Sequence, residues 1–168
     1  VLLGADGVCS TESRKVSVVI DTTTMSPQNS RRFAEELSGR GIAYLDAPVT
    51  GGEGGAEAGT LHLMVGGDEE AYRKCEPVFA AVGAQSVLVG PSGCGSVAKM
   101  VNQLMMCAQI AGAAEAFVYT ERHGTDPARV LQAINPKVRD NLWVQKHEQQ
   151  RLQKRAGDLP AVPASATA

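Results

Sequence analysis

Short apolar runs alternate with stretches of helical spacing across residues 16–89, and this alternation restricts the chain to an α/β architecture. Val16-Ser17-Val18-Val19-Ile20 is a β-branched run stopped by Asp21-Thr22-Thr23-Thr24, which predicts a buried strand with hydroxyls at its C-terminal end. Ser26 followed by Pro27 starts a helix, a capping hydroxyl with proline in the first turn. Phe33, Ala34 and Leu37 carry the helical spacing to Gly39. Residues 42–45 form a second strand, ending in Asp46-Ala47-Pro48, and a glycine-dense loop follows over 51–59. A third strand spans 60–65, Asp68 caps a helix running to about residue 81, and Val87-Leu88-Val89 is a short fourth strand. Together these predict the C-terminal half of a doubly wound, Rossmann-type parallel sheet. No GxGxxG turn occurs, so the first βαβ half of such a domain is expected to be missing. Val1 in place of Met suggests a chain that begins partway into a longer protein.

From Gly90 the pattern changes. Residues 96–122 read as one long helix rich in Ala and Met, ended by His123-Gly124, and Thr125-Asp126-Pro127 starts another through Val130, Leu131 and Ile134. The expected organisation is a partial Rossmann-type domain over 1–91, the start of an all-α domain over 92–145, and a disordered tail over 146–168. Lys99, Asn102, Gln103, Gln109 and Glu115 interrupt the long helix, which argues for burial between helices or subunits rather than in a bilayer.

A net charge of −2 gives no general affinity for nucleic acid or membrane, and the polar, mostly basic run over 146–155 reads as solvated. The four cysteines form no CxxC pair, and the three histidines are not at metal-ligand spacing from them. No metal site is expected, and the thiols read as free in a reducing compartment. No secretory signal opens the chain. The expected location is the cytoplasm, or the mitochondrial matrix if a transit peptide lies upstream.

Three segments can carry chemistry. Residues 21–27 and 46–52 each follow the end of a strand, where ligands bind in open α/β sheets. Ser26 alone reads as a cap, while the threonine run fits either a turn or a ligand contact. In Pro48-Val49-Thr50-Gly51-Gly52 the paired glycines let backbone N–H groups converge on an anion, with the Thr50 hydroxyl as a further donor; a carboxylate is the expected guest. The third segment, 93–103, contains Lys99. If Gly95-Ser96 starts the long helix, Lys99 lies in its first turn, where the positive end of the helix dipole eases proton donation. Asn102 and Gln103, three and four residues on, share its face.

Asp46-Ala47-Pro48-Val49-Thr50-Gly51-Gly52, followed by Gly59-Thr60-Leu61 and Met64-Val65-Gly66-Gly67, resembles the substrate-loop signature of the β-hydroxyacid dehydrogenases, the 3-hydroxyisobutyrate dehydrogenase and tartronate semialdehyde reductase group. Gly95-Ser96-Val97-Ala98-Lys99-Met100-Val101-Asn102-Gln103 resembles its catalytic helix, and Asp21-Thr22-Thr23-Thr24-Met25-Ser26-Pro27 its cofactor-side turn. The resemblance covers residues 1–142. It implies an oxidoreductase using NAD or NADP on a small 3-hydroxy acid or its semialdehyde. Lys99 would be the general acid/base, Thr50, Gly51 and Gly52 would hold the substrate carboxylate, Asn102 and Gln103 would support the site, and Thr23 and Thr24 would face the cofactor. Thr50 stands where the family usually has Ser, which keeps the hydroxyl. In the family an Asn often follows the lysine by four residues; here Gln103 holds that place and Asn102 precedes it. A homo-oligomer through the long helix is expected. Two other readings remain: an imine-reducing relative, and a truncated, inactive relative that serves only as a dimerisation module.

Overall fold

A computed structural model describes residues 3, 4, 7 and 16–136; the tail expected over 146–168 lies outside them. The elements run β1 (Val18–Asp21), α1 (Pro27–Ser38), β2 (Ala43–Asp46), β3 (Val49–Thr50), α2 (Gly52–Glu57), β4 (Leu61–Gly66), α3 (Glu69–Val82), β5 (Gly83–Gly90), α4 (Cys94–Arg122) and α5 (Pro127–Ala133). The helix starts follow the caps legible in the sequence. The Ser26 hydroxyl accepts from the Asn29 amide, Asp68 from Ala71 and Asp126 from Ala128.

The α/β, Rossmann-type class holds, and the long helix follows the sheet. The strand directions differ from expectation. β1 pairs parallel with β2 and β4 parallel with β5, each pair joined through a helix (α1, α3), but β4 runs antiparallel to β2 and β3. The sheet is therefore mixed. β2 ends at Asp46 and β4 starts at Leu61, and the chain between them is spent on β3, which pairs antiparallel with β4, and on the six-residue α2, so no crossover helix carries it to a parallel partner. Asp46 opposite Gly66, Val49 opposite Leu63 and Thr50 opposite His62 share one continuous register. Thus β2 and β3 form a single line along β4, interrupted at Ala47-Pro48, and Met64 N–H still donates to the Pro48 carbonyl at 3.0 Å.

Alternation along β2 sends its side chains to two cores. Leu45 packs with Leu63, Val65, Ala71, Cys75 and Phe79 beneath α3, whereas Tyr44 packs with Leu37 and Ile42 and with Phe33 of α1. Asp46, next in the alternation, falls on the face with Tyr44. The chain divides into two compact units, Val1–Asn102 and Gln103–Ala168, with the division inside α4. In the second unit Ala113, Phe117, Thr120 and Pro127 are buried. Among the described residues no helix is long and apolar enough to cross a membrane.

Candidate active site

The C-terminal end of β1 is organised by Asp21. One carboxylate oxygen accepts the Thr23 amide and the other the Tyr44 hydroxyl, each at 2.9 Å. Tyr44 is buried, and burial first, then the Asp21 carboxylate, raises its phenol well above the usual value. Thr22, Thr23 and Thr24 are exposed just beyond. Thr22 and Thr23 line a cleft of about 610 Å³ with Leu3, Gly4, Val19, Ile20, Asp21 and Phe33; Thr24 does not. An apolar wall with hydroxyls at a strand end suits the ring and ribose portions of a dinucleotide.

The end of β2 is tied to α4. Asp46 is 1% exposed, and its two carboxylate oxygens accept from Gly93 N–H at 2.8 Å and Ser96 N–H at 2.7 Å. This approach requires glycines. A Cβ on Gly95 would run into the carbonyl oxygens of Asp46 and Met64, and one on Gly66 would lie 2.7 Å from the Gly95 nitrogen. The buried hydroxyls of Ser30 in α1 and Ser96 in α4 hydrogen-bond at 2.9 Å, joining the two helices. Gly93, Gly95 and Ala98 follow β5 and open α4 at the spacing of a GxGxxA dinucleotide fingerprint. Asp46 already accepts from the Gly93 and Ser96 amides, so these two donors of the turn serve the carboxylate rather than a phosphate.

Lys99 is half-buried, and its amine donates to the Val49 carbonyl at 2.7 Å, one residue before Thr50. α4 begins at Cys94, so Lys99 lies in the second turn rather than the first. The helix end meets the Asp46 carboxylate, and the dipole acts mainly on the first turn. The local reason for a lysine here is thus the carbonyl it reaches. Thr50 is half-buried, Gly51 (φ 138°) and Gly52 (φ 66°) adopt left-handed backbone, and α2 starts at Gly52 without a side-chain cap. Asn102 and Gln103 are half-buried one turn beyond Lys99, and each is engaged within the fold.

The structure therefore brings Lys99 to the segment containing Thr50, and it sets Thr23 and Thr24 at the end of the neighbouring strand. The sequence reading missed the anchoring by Asp46. A polar residue at the buried end of a strand, with Gly66, Gly93 and Gly95 in the elements that meet it, was the available signal. Among the described residues no cluster of His, Cys, Asp and Glu could hold a metal ion.

Residues 1–90 match the family model for the NAD binding domain of 6-phosphogluconate dehydrogenase. Residues 93–159 match that for the NAD-binding domain of NADP-dependent 3-hydroxyisobutyrate dehydrogenase, so the match extends past residue 142, the end of the resemblance in the sequence. The chain is 36% identical over 154 residues to 2-hydroxy-3-oxopropionate reductase of Escherichia coli (strain K12), covering 92% of this chain and 52% of that protein. It is 38% identical over 141 residues to 3-hydroxyisobutyrate dehydrogenase of Pseudomonas aeruginosa, covering 84% and 47%. A solved structure of the Mycobacterium tuberculosis 3-hydroxyisobutyrate dehydrogenase with L-serine superimposes with a TM-score of 0.73 at 33% identity, covering 83% of this chain and 47% of that one. The chain spans about half the length of the curated relatives it matches.

Proposed function

From the chain's membership of the β-hydroxyacid dehydrogenase family, whose matching domains bind NAD or NADP, we propose that it serves hydride transfer between that cofactor and a small 3-hydroxy acid or its semialdehyde. The observation that carries this reading is the Lys99 amine held at the Val49 carbonyl, beside Thr50 and the left-handed glycines Gly51 and Gly52.

A nicotinamide cofactor, when bound, would supply or accept the hydride. In the reducing direction Lys99 gives a proton to the substrate carbonyl oxygen, and in the oxidising direction it takes the hydroxyl proton. The Thr50 hydroxyl and the N–H groups of Gly51 and Gly52 hold the substrate carboxylate, while Asn102 and Gln103 support the amine and the reacting oxygen. Thr22 and Thr23 serve the cofactor at the β1 cleft, with Thr24 beside them. Residues 1–91 act as the cofactor-side domain and 92–145 as the start of the helical one, a division supported by the change of matching family between residues 90 and 93.

Assembly through α4 goes with this reading. Leu104 and Met105 are 71% and 61% exposed on that helix, and apolar side chains of this size favour a covered surface. Residence in the cytoplasm fits the bacterial relatives, with the mitochondrial matrix as the alternative.

The direct test is nicotinamide absorbance with the full chain, NAD or NADP, and short 3-hydroxy acids beside their 2-hydroxy isomers. The reading expects turnover of a 3-hydroxy acid and little of the isomers. Turnover restricted to 2-hydroxy acids, or reduction of cyclic imines alone, would replace it.

A further inference from the structure

We propose that Asp46 is the positioning residue of this site, fixing the first turn of α4 so that the Lys99 amine meets the 49–52 segment. The proposal rests on the functional reading for its catalytic meaning and on geometry for the rest.

Two short spacers connect Asp46 to Lys99. One is the chain from Asp46 to Val49, in which Ala47 and Pro48 are buried and Pro48 has a fixed φ. The other is the single turn of α4 from Ser96 to Lys99. Hydrogen bonds of 2.7 Å join them at both ends, Ser96 N–H to the Asp46 carboxylate and the Lys99 amine to the Val49 carbonyl. The first joint is rigid and buried, whereas the second ends a flexible four-carbon stem. A lysine stem keeps one rotamer only if its helix is held in place.

A carboxylate suits the rigid joint because Gly93 and Ser96 donate to different oxygens. Two attachment points fix the helix against both sliding and rotation, and charge-assisted bonds to backbone amides are stronger than neutral ones. Asparagine has the same shape but one acceptor oxygen, so it keeps one of the two bonds. Gly95 lets the helix backbone come against the Asp46 and Met64 carbonyls, an approach that serves this joint.

Asp46→Asn and Asp46→Ala in the full chain test the proposal with a readout that needs no turnover. Reductive methylation reports the access of each lysine amine, with Lys74 (side chain 66% exposed) as the internal standard. Amide hydrogen exchange reports Gly93 and Ser96. The expected result is faster exchange at one or both amides in Asp46→Asn and at both in Asp46→Ala. Lys99 should be methylated about tenfold faster relative to Lys74, as loss of a charge-assisted hydrogen bond implies. A folded Asp46→Asn whose Lys99 labels at the parent rate would overturn the proposal; this shape-conserving variant decides the matter if the alanine variant does not fold. Activity separates the two claims. Loss of catalysis in Lys99→Ala supports the functional reading, and a fully active Lys99→Ala refutes that reading while the labelling still decides the role of Asp46.

Discussion

Asp21 and Asp46 stand opposite each other in the β1/β2 register, and each commits its carboxylate to a different neighbour. Asp21 holds the Thr23 turn and the Tyr44 hydroxyl, and Asp46 holds the start of α4. One register position thus anchors both the segment read as facing the cofactor and the helix that carries Lys99.

Tyr44→Phe should lower stability by about 1.5–3 kcal/mol, the range for a hydrogen bond to a charged group. It should also flatten the alkaline limb of the stability profile. The folded phenol is raised by burial and by Asp21, so above about pH 10 the unfolded chain releases this proton while the folded one keeps it. The contribution is complete below that pH and declines above it. Urea unfolding on either side of pH 10 measures the slope; equal slopes in parent and variant would contradict the account.

Gly95→Ala should destabilise the fold by about 2–3 kcal/mol, because its methyl meets two carbonyl oxygens rather than movable side chains. Gly112→Ala on the same helix has open space around it, and should gain about 0.5–1 kcal/mol from helix propensity. Thermal unfolding of the pair checks both signs together.

If the chain assembles through α4 as proposed, Leu104→Glu combined with Met105→Glu should give smaller species without unfolding the protein, since both side chains are exposed on that helix. Sedimentation at several protein concentrations provides the measurement. A parent that is already monomeric, or a variant with unchanged mass, counts against assembly through this helix.

Much of the fold was legible because its signals are local. Ser26-Pro27, Asp68 and Asp126-Pro127 are caps that operate within one turn, and the structure uses all three. The reversal of β4 was not legible, since strand direction follows from how the 47–60 stretch is spent rather than from any residue in β4. α2 is not legible in the sequence because Gly52, Gly54 and Gly55 are poor helix formers, and no apolar periodicity marks a helix that buries nothing. In the site, the motif drew attention to Lys99 and Thr50. Their meeting depends on Asp46 bridging to residues 47 and 50 positions later, a contact that no local pattern encodes.

Under the proposed function Lys99 serves the proton and not the dinucleotide. Steady-state kinetics of Lys99→Ala, paired with calorimetric titration of NAD and NADP into the same protein, checks this. Turnover should fall about a hundredfold to ten-thousandfold with cofactor affinity nearly unchanged. Lys99→Arg should not restore the rate, because a guanidinium holds its proton near neutral pH. Parent-level turnover in Lys99→Ala, or a loss confined to cofactor binding, would contradict it.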